Sequence, residues 1–249
     1  MNRSLSHTTP PHPTLPPLEN GDALTRWEFE QRYAAMPQVK KAELIEGIVY
    51  MASPLGFESH AEPHANLIGW LWSYKVSTPG TRLGDNSTVR LDLDNELQPD
   101  AILLIDPRAG GQTRFSTDGY IEGAPELVIE IAASSATIDL RDKKRAYRRN
   151  GVQEYLVWQV LDRKLDWFHL QNGDYIPLQP DSAGILRSPM FPGLWLALPA
   201  LLAGDMVLVL ATLQQGLQTP EHHAFVQQLR EQIPQDFAQR SPETPQETV

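Results

Sequence analysis

Hydrophobic positions along the chain form short apolar runs and stretches of helical spacing, and this pattern predicts a mixed α/β domain. The segments "QPDAILLID" (98–106) and "PELVIEIAA" (125–133) are apolar runs bounded by turn residues, as buried central strands are. Apolar side chains at helical spacing in "HANLIGWLWSYKV" (64–76) predict a helix that opens at Pro63. The basic segment "TIDLRDKKRAYRRNG" (137–151) follows the second run and predicts a helix that ends at a glycine C-cap.

Other patterns place further elements around this core. Thr25 and Glu28 stand at the N-cap and capping-box positions of a short helix predicted over 24–36. An alternating segment over 87–94 predicts a half-exposed strand. The remaining predicted elements are a β-hairpin over 42–53, two strands over 152–160 and 164–175, and an amphipathic helix over 220–232.

Composition divides the chain into a folded part and two tails. Residues 1–22 and 233–249 are rich in proline and polar residues and predict disordered tails. Between them, residues 23–203 form the predicted domain, and residues 204–232 form a predicted C-terminal helical extension. At 249 residues the chain is long enough to bury a large core.

Charge and cysteine content exclude some classes of protein. The net charge of −10 argues against a protein that coats nucleic acid non-specifically, although a local basic groove is compatible with it. The absence of cysteine excludes disulfides, thiolate metal sites and cysteine nucleophiles, and it favours the cytoplasm. No apolar stretch approaches the ~18 residues that span a bilayer, and the N-terminus has no apolar secretory region. We therefore expect a cytoplasmic protein without a membrane partner.

Two carboxylates interrupt the apolar runs of the predicted interior strands. Asp100 and Glu130 are unfavourable there without partners, so each one pairs with arginine, caps a strand or binds a hard divalent cation. Lys143 lies on the next predicted helix, where Asp139, Lys143 and Tyr147 share one face at i, i+4 spacing. A solvated Asp–Lys pair is the alternative interpretation of that helix. Two acids on neighbouring strands with a lysine close by favour a functional site.

Two further pairs of residues are candidates for the same site. His60 and His64 imitate a metal-binding pair, but Pro63 between them predicts that His60 lies outside the helix. The sequence also departs from the H-E-x-x-H motif of zinc proteases. His64 either faces the carboxylates or caps the helix. Glu43 and Glu46 flank the hairpin turn, where each either leans into the site or is ordinary surface charge.

Several of these pieces occur together in the order of a known family. "AELIEG", a histidine before a helix, "QPD", "PELVIEIAASS" and "DLRDKKRAYRRNGVQEYLVW" resemble the Uma-two family of endonucleases, in particular its cyanobacterial branch. The resemblance covers about residues 24–200 and is most specific between Pro125 and Trp158. That family is placed in the PD-(D/E)XK nuclease superfamily. The resemblance implies a restriction-endonuclease-like core, with a mixed central sheet flanked by helices, an N-terminal helix and a β-hairpin.

The resemblance also implies roles for individual residues. Asp100 would be the acid of the "PD" element and Glu130 the acid of the "(D/E)XK" element. Both would bind Mg²⁺, or Mn²⁺ in its place, together with the backbone carbonyl of Ile131. The sequence departs from the pattern at Ala132, where the motif lysine is expected, and Lys143 on the following helix would replace it.

Supporting residues complete the predicted site. Glu43 corresponds to the acid of the family's N-terminal element and would be an additional ligand of the metal or of water. His64 and Tyr147 are further supporting candidates. The basic residues of the same helix are candidates for binding phosphates along one edge of the site: Arg141, Lys144, Arg145, Arg148 and Arg149.

These residue types suit phosphodiester hydrolysis. A carboxylate-bound Mg²⁺ supplies Lewis acidity and orients water, and a lysine stabilises developing charge or positions the nucleophile. We therefore expect a Mg²⁺-dependent endonuclease that acts on DNA, with a homodimer as the natural form for cutting two strands. The alternatives are an inactive module of the same fold that binds nucleic acid or a protein partner, and a metal-dependent enzyme with another substrate.

Overall fold

The computed structural model describes residues 15–52, 54–133 and 135–233. The strands are β1 (Ala42–Ile45), β2 (Ile48–Met51), β3 (Thr81–Asp85), β4 (Val89–Arg90), β5 (Glu96–Leu97), β6 (Ala101–Ile105), β7 (Arg114–Phe115), β8 (Ile121–Glu122), β9 (Leu127–Ala132), β10 (Glu154–Gln159), β11 (Lys164–Gln171), β12 (Asp174–Pro177), β13 (Ile185–Arg187) and β14 (Trp195–Ala197). The helices are α1 (Arg26–Ala34), α2 (Glu62–Ser77), α3 (Ala136–Ile138), α4 (Lys144–Arg149), α5 (Leu198–Ala203), α6 (Met206–Leu217) and α7 (Pro220–Gln232). Turns of π-helix cover Phe57–Ala61 and Asp139–Lys143, and a 3₁₀ turn covers Pro107–Ala109.

A six-stranded mixed sheet forms the centre of the fold, in the order β12-β11-β10-β9-β6-β3. Strands β9 and β10 run parallel, whereas the other neighbours in this sheet are antiparallel. The parallel pair is joined through α3 and α4, as a parallel connection requires. The predicted α/β core, a mixed sheet with flanking helices, is confirmed.

Side chains of β9 alternate between the two faces of the central sheet, and each face has its own hydrophobic core. Ile129 packs in the core that contains Trp70 of α2. Val128 packs in the core that contains Tyr147 of α4. Glu130 is two residues from Val128 and therefore lies on the face covered by α4.

A second sheet, in the order β2-β1-β5-β4-β8-β7, shares the core on that same face. Its strands contribute Ile45, Val89 and Leu97, which are buried with the side chains of α4. The β1–β2 hairpin therefore lies beside the face that carries Glu130.

Two local predictions at the N-terminal end are confirmed. The hairpin turns at Glu46 and Gly47, whose φ angles of 52° and 76° are those of a tight turn with two left-handed residues. Thr25 caps α1, because its Oγ1 accepts a hydrogen bond from the Glu28 N–H at 3.3 Å.

One predicted strand is shorter than expected, and two strands of the central sheet, β3 and β12, were not predicted. A turn at Asn172 and Gly173 divides the predicted strand over 164–175 into β11 and β12. The alternating segment 87–94 contributes only β4, because a turn follows in which the Leu91 N–H donates to the Asn95 carbonyl at 3.0 Å. Asn95 Nδ2 also donates to Asp92 Oδ1 at 2.9 Å, which is typical of turns with Asp and Asn. The central sheet ends instead in β3, whose "TRLGD" sequence shows no clear alternation of apolar and polar residues.

Residues 1–14 and 234–249, which fall in the two predicted tails, lie outside the described residues. The end of the first predicted tail contacts the hairpin. Leu18 is buried in a small cluster with Val49, and the Gly21 N–H donates to the Val49 carbonyl at 2.8 Å.

The predicted C-terminal helical extension consists of α6 and α7. Leu213 and Leu229 of these helices are buried in the same core as Trp70 of α2. The two helices therefore pack on the face of the central sheet opposite α4. Among the described residues, no helix combines the length and the apolar character needed to cross a membrane.

Glu154, at the start of β10, forms hydrogen bonds that hold the segment between β13 and β14 against the central sheet. Its Oε1 accepts hydrogen bonds from Ser188 Oγ and from the Met190 N–H, both at 2.7 Å. Its Oε2 accepts a hydrogen bond from Trp167 Nε1 at 3.0 Å. Burial raises the pKa of this carboxyl to about 7, although the three donors oppose the shift.

Glu154→Gln is expected to lower the free energy of unfolding by about 1–3 kcal/mol, because an amide NH₂ group meets buried donors and leaves one unpaired. Since the folded-state pKa lies above the unfolded value, the stability from wild-type Glu154 is full at low pH and falls as pH rises through about 7. The difference between wild type and variant should therefore narrow from pH 5 to pH 8 in chemical denaturation. Exposed Asp162→Asn is the control, and a pH-independent difference would contradict the assigned pKa.

Candidate active site

Asp100 and Glu130 face each other across the antiparallel pair β6–β9. The register pairs Ala101 with Ile129, which places Asp100 directly opposite Glu130 on the same face of the sheet. Both acids are buried, with 4% and 3% of their surface exposed. Asp100 Oδ2 accepts a hydrogen bond from the Ile131 N–H at 2.7 Å, which fixes the orientation of the carboxylate. The structure thus brings together the two acids that the sequence singled out.

Lys143 and Tyr147 contact Glu130 from the helical side. Lys143 Nζ lies 3.0 Å from Glu130 Oε1, and the Tyr147 O–H donates to the same oxygen at 2.8 Å. Lys143 Nζ also lies 3.0 Å from Glu43 Oε2 and 3.6 Å from Asp139 Oδ1. The supporting candidates Glu43 and Tyr147 therefore belong to the cluster, and Asp139 joins them.

A turn of π-helix precedes α4 and positions its inward face. Asp139–Lys143 form this turn, and the Tyr155 O–H donates to the Asp139 carbonyl at 2.9 Å. Such turns insert one extra residue into a helix and are frequent at functional sites. Lys143 and Tyr147 are four residues apart, so both remain on the face that covers β9.

Acidic side chains outnumber basic ones in this cluster. Burial raises the pKa values of Glu130 and Asp139, and the opposing effect of Lys143 does not cancel the shift. Burial alone would lower the pKa of the Lys143 ammonium, but Glu130, Glu43 and Asp139 together raise it well above its ordinary value. One buried lysine therefore shares the site with four buried acids: Glu43, Asp100, Glu130 and Asp139.

The cluster opens onto a cleft of about 560 Å³. Asp100 and Glu130 line this cleft together with Lys41 and the apolar residues Leu55 and Leu161. The two leucines are exposed, with 66% and 69% of their surface accessible. The cleft falls within the range of about 300–1,000 Å³ that is typical of small-molecule and cofactor sites.

His60, rather than His64, contacts the carboxylate of Asp100. His60 is buried, with Nε2 3.5 Å from Asp100 Oδ1 and Nδ1 3.1 Å from the Ile131 carbonyl. His64 Nε2 lies 2.9 Å from the backbone carbonyl of Asp100 and 3.1 Å from the Asp85 carboxylate. His64 therefore supports the chain at Asp100 but does not reach its side chain.

His60 lies outside α2, as the position of Pro63 predicts, although the chain there is also helical. A π-helical turn at Phe57–Ala61 leads directly into α2 and includes His60. Pro63 is tolerated because it lies in the first turn of α2, where a missing N–H removes no helical hydrogen bond. The four-residue spacing of His60 and His64 was the signal that both rings face the site, and their centroids are 5.8 Å apart.

Lys41 is a second residue at the site that the sequence patterns did not reveal. Its Nζ lies 3.6 Å from Asp100 Oδ1, and its side chain is 23% exposed. Lys41 precedes Glu43 by two residues, and side chains two apart in a strand share a face. The alternation "KAE" was therefore the signal that Lys41 accompanies Glu43.

Glu46 is the one member of the Glu43–Glu46 pair that lies away from the acids. Its carboxylate pairs with Arg149 at 3.0 Å and with Arg145 at 3.4 Å. The surface-charge interpretation therefore holds for Glu46.

The other basic residues of the helix also have partners or lie at the surface. Arg148 Nη1 pairs with Asp174 at 2.8 Å, and Lys144 Nζ lies 3.4 Å from the centroid of the Phe168 ring. Arg141 is exposed.

A hard divalent cation fits the donor set and the charge of the cluster. In residues 15–52, 54–133 and 135–233, no three His, Cys, Asp or Glu side chains converge as a complete metal site. The predicted ligands are instead two carboxylates, Asp100 and Glu130, and the carbonyl of Ile131. These are oxygen donors of the kind that Mg²⁺ prefers. The buried Oδ1 of Asp139 has no hydrogen-bond partner, which adds to the uncompensated negative charge.

Comparison with known proteins gives a matching family and related solved structures. The model of the Uma2 family, described as "Putative restriction endonuclease", matches residues 27–199. A crystal structure described as "a putative nuclease belonging to DUF820" from Anabaena variabilis superposes with a TM-score of 0.53 at 17% sequence identity. The match covers 70% of this chain and 96% of that one, and it agrees with a restriction-endonuclease-like fold. A search of curated proteins gives no significant match.

Proposed function

The chain belongs to the Uma2 family, and from this premise we propose that it is a Mg²⁺-dependent endonuclease that hydrolyses phosphodiester bonds of DNA. Family membership by itself supports a nuclease-type function. The observation that carries the fuller proposal is the pair Asp100 and Glu130, which face each other across two strands in an acidic cleft. Two opposed carboxylates with a lysine are the parts that metal-assisted hydrolysis of a phosphodiester needs.

Asp100, Glu130 and the carbonyl of Ile131 would hold the Mg²⁺, with Mn²⁺ as a substitute. When bound, the cation supplies Lewis acidity toward the phosphate and lowers the pKa of water at the site. Its charge would also balance the excess of acids, which a single lysine leaves uncompensated.

The remaining residues of the cluster position these ligands. Lys143 and Tyr147 both bind Glu130 Oε1, so they hold that carboxylate in one orientation. Glu43 accepts a hydrogen bond from the Gln98 N–H at 2.8 Å and pairs with Lys143, which links β1 to the π-helical turn before α4. Hydrogen bonds of this kind hold the proposed ligands in the precise geometry that catalysis needs.

The DNA backbone would pass along the helical edge of the cleft. Arg141, Lys144, Arg145 and Arg148 are the proposed phosphate contacts on that edge, and Arg141 and Arg145 are exposed. Arg145 and Arg148 would exchange their present acidic partners for phosphates. Since the chain carries one proposed site, cleavage of both strands would require two copies, and a cytoplasmic homodimer is the form we propose.

A second candidate function is an inactive module of the same fold that binds nucleic acid or a protein. The observation that favours it is the ion pair of Glu130 with Lys143, which already engages that carboxylate. The two candidates differ in whether a divalent cation displaces this ion pair.

Cleavage assays separate these candidates. The purified protein is incubated with plasmid, single-stranded DNA and RNA, each with Mg²⁺, with Mn²⁺ and with chelator. We expect cleavage of DNA with either metal and none with chelator, because the acids alone cannot activate water or neutralise the phosphate. Binding without cleavage under every condition would favour the inactive module, and cleavage of RNA alone would overturn the DNA assignment.

A further inference from the structure

Lys143 is buried and already paired with acids. Its Nζ lies 3.0 Å from both Glu130 and Glu43 and 3.6 Å from Asp139 Oδ1, which is beyond hydrogen-bond distance. Its side chain is only 6% exposed. A phosphate that recruited Lys143 would have to break a buried ion pair, which is strongly unfavourable because it leaves a carboxylate uncompensated. Lys143 therefore holds the acids in place.

Lys41 lies at the cleft beside Asp100, and its side chain is more exposed than that of Lys143. It lies one residue before β1, where the Ala52 N–H donates to its carbonyl at 3.2 Å and fixes the backbone to the hairpin. The alternation of the strand turns Lys41 and Glu43 to the site, while Ala42 packs with Leu44 in a separate core. The Lys41 ammonium lies 3.6 Å from Asp100 Oδ1 and lines the cleft, with its side chain partly open to solvent.

The lining of the cleft offers few positively charged side chains to a phosphate. A phosphodiester that enters meets Asp100, Glu130 and their acidic neighbours, all of which repel it. Among the described residues that line the cleft, Lys41 and Lys143 are the lysines and arginines, and Lys143 is already paired.

We propose that Lys41 is the lysine that contacts the scissile phosphate. This assignment rests on the proposed function and adds the residue that binds the substrate. Lysine suits the role as a compact point charge on a flexible stem, which reaches a phosphate oxygen without a fixed geometry. Its proximity to Asp100 places that phosphate beside the carboxylate pair.

The test uses Lys41→Met and Lys41→Arg in the full chain, with Lys40→Met as the matched control. Lys40 is the adjacent lysine and is exposed, so its removal changes the net charge equally without touching the cleft. Cleavage is followed with Mg²⁺, and binding of a fluorescent DNA oligonucleotide is followed by anisotropy with Ca²⁺ over a range of salt concentrations. Thermal unfolding checks that each variant is folded.

Lys41→Met is expected to lower kcat by about 10²-fold, since removal of one charge-stabilising group has this order of effect. The slope of log affinity against log salt should fall by about 1, as loss of one phosphate contact predicts. Lys41→Arg should retain the salt slope and more activity than Lys41→Met, while Lys40→Met should match wild type in kcat.

The outcomes separate this assignment from the proposed function. If wild type cleaves DNA and Lys41→Met cleaves it as fast, with the same salt slope, the role of Lys41 is overturned and the nuclease proposal stands. If Lys41→Met loses activity but keeps the salt slope, Lys41 acts on Asp100 and not on the phosphate, which also overturns the assignment. If wild type binds without cleaving and Lys41→Met lowers the slope, the phosphate contact is supported and the nuclease proposal fails. A wild type that neither binds nor cleaves overturns both.

Discussion

Asp100→Asn and Glu130→Gln are each expected to lower the rate of Mg²⁺-dependent DNA cleavage by more than about 10³-fold, because each removes an ionised oxygen ligand from the proposed metal site. The amide oxygen in the Asp100 variant can still accept the hydrogen bond from the Ile131 N–H, so the strand pair should remain intact. Cleavage is measured on plasmid DNA at saturating Mg²⁺. The double variant should be no slower than the worse single variant, since two ligands of one site act as a unit.

Folding and charge controls make this result specific. Asp142→Asn removes a more exposed carboxylate from the helical side of the site, where Asp142 pairs with Arg145, and should leave the rate unchanged. Glu130→Gln should unfold at the same or a higher temperature than wild type, because it removes one of four buried acids. Cleavage at the wild-type rate by either acid variant would place the active site elsewhere.

Lys143→Met is expected to have the largest effect on stability. The substitution leaves Glu43, Glu130 and Asp139 buried without their ammonium partner, and breaking a buried pair in this way reduces the free energy of unfolding by about 3–5 kcal/mol. For a chain of this size the unfolding temperature should fall by about 6–20 °C. Thermal and chemical denaturation at pH 8 measure the loss. Lys164→Met, which removes an exposed ion pair with Asp166, should change the stability by less than about 1 kcal/mol.

The loss of stability in Lys143→Met should depend on pH. Without the ammonium, the pKa values of Glu130 and Asp139 in the folded state rise further above their unfolded values, because the largest effect that opposes burial is then lost. A raised folded-state pKa contributes stability at low pH that is lost as pH rises. The variant should therefore approach wild-type stability toward pH 5 and depart from it toward pH 8. Adding Glu130→Gln to Lys143→Met should recover part of the loss at pH 8, and a loss that is equal at both pH values would show that Lys143 acts through packing instead.

Local sequence pattern determined much of the central sheet. The apolar runs over 98–106 and 125–133 contain β6 and β9, because a strand buried on both faces needs apolar residues at nearly every position. Against that background Asp100 and Glu130 were conspicuous, since an acid in such a run requires a partner. The helical spacing of Lys143 and Tyr147 predicted that these two side chains share a face.

The strand β3 shows where local pattern was insufficient. "TRLGD" has little alternation, and it is a strand because β6 offers an unpaired edge that only the assembled sheet provides. The segment over 87–94 is the opposite case. Its alternation of apolar and polar residues is clear, but only β4 forms, because a side-chain hydrogen bond between Asn95 and Asp92 stabilises a turn directly after it.

The sequence by itself was enough to identify the two acids and the helical lysine as site residues and to predict the buried strands that carry the acids. Each of these predictions depends only on local spacing and on the unfavourable burial of charge. Only the tertiary structure decided that His60 and Lys41 lie on either side of Asp100. It also decided that Lys143 is surrounded by three carboxylates. These contacts join β1, the turn before α2, β6 and α4, which are separated by tens of residues along the chain. Register between strands and the packing of helices on them set such distances, and neither is encoded in the periodicity of any single segment.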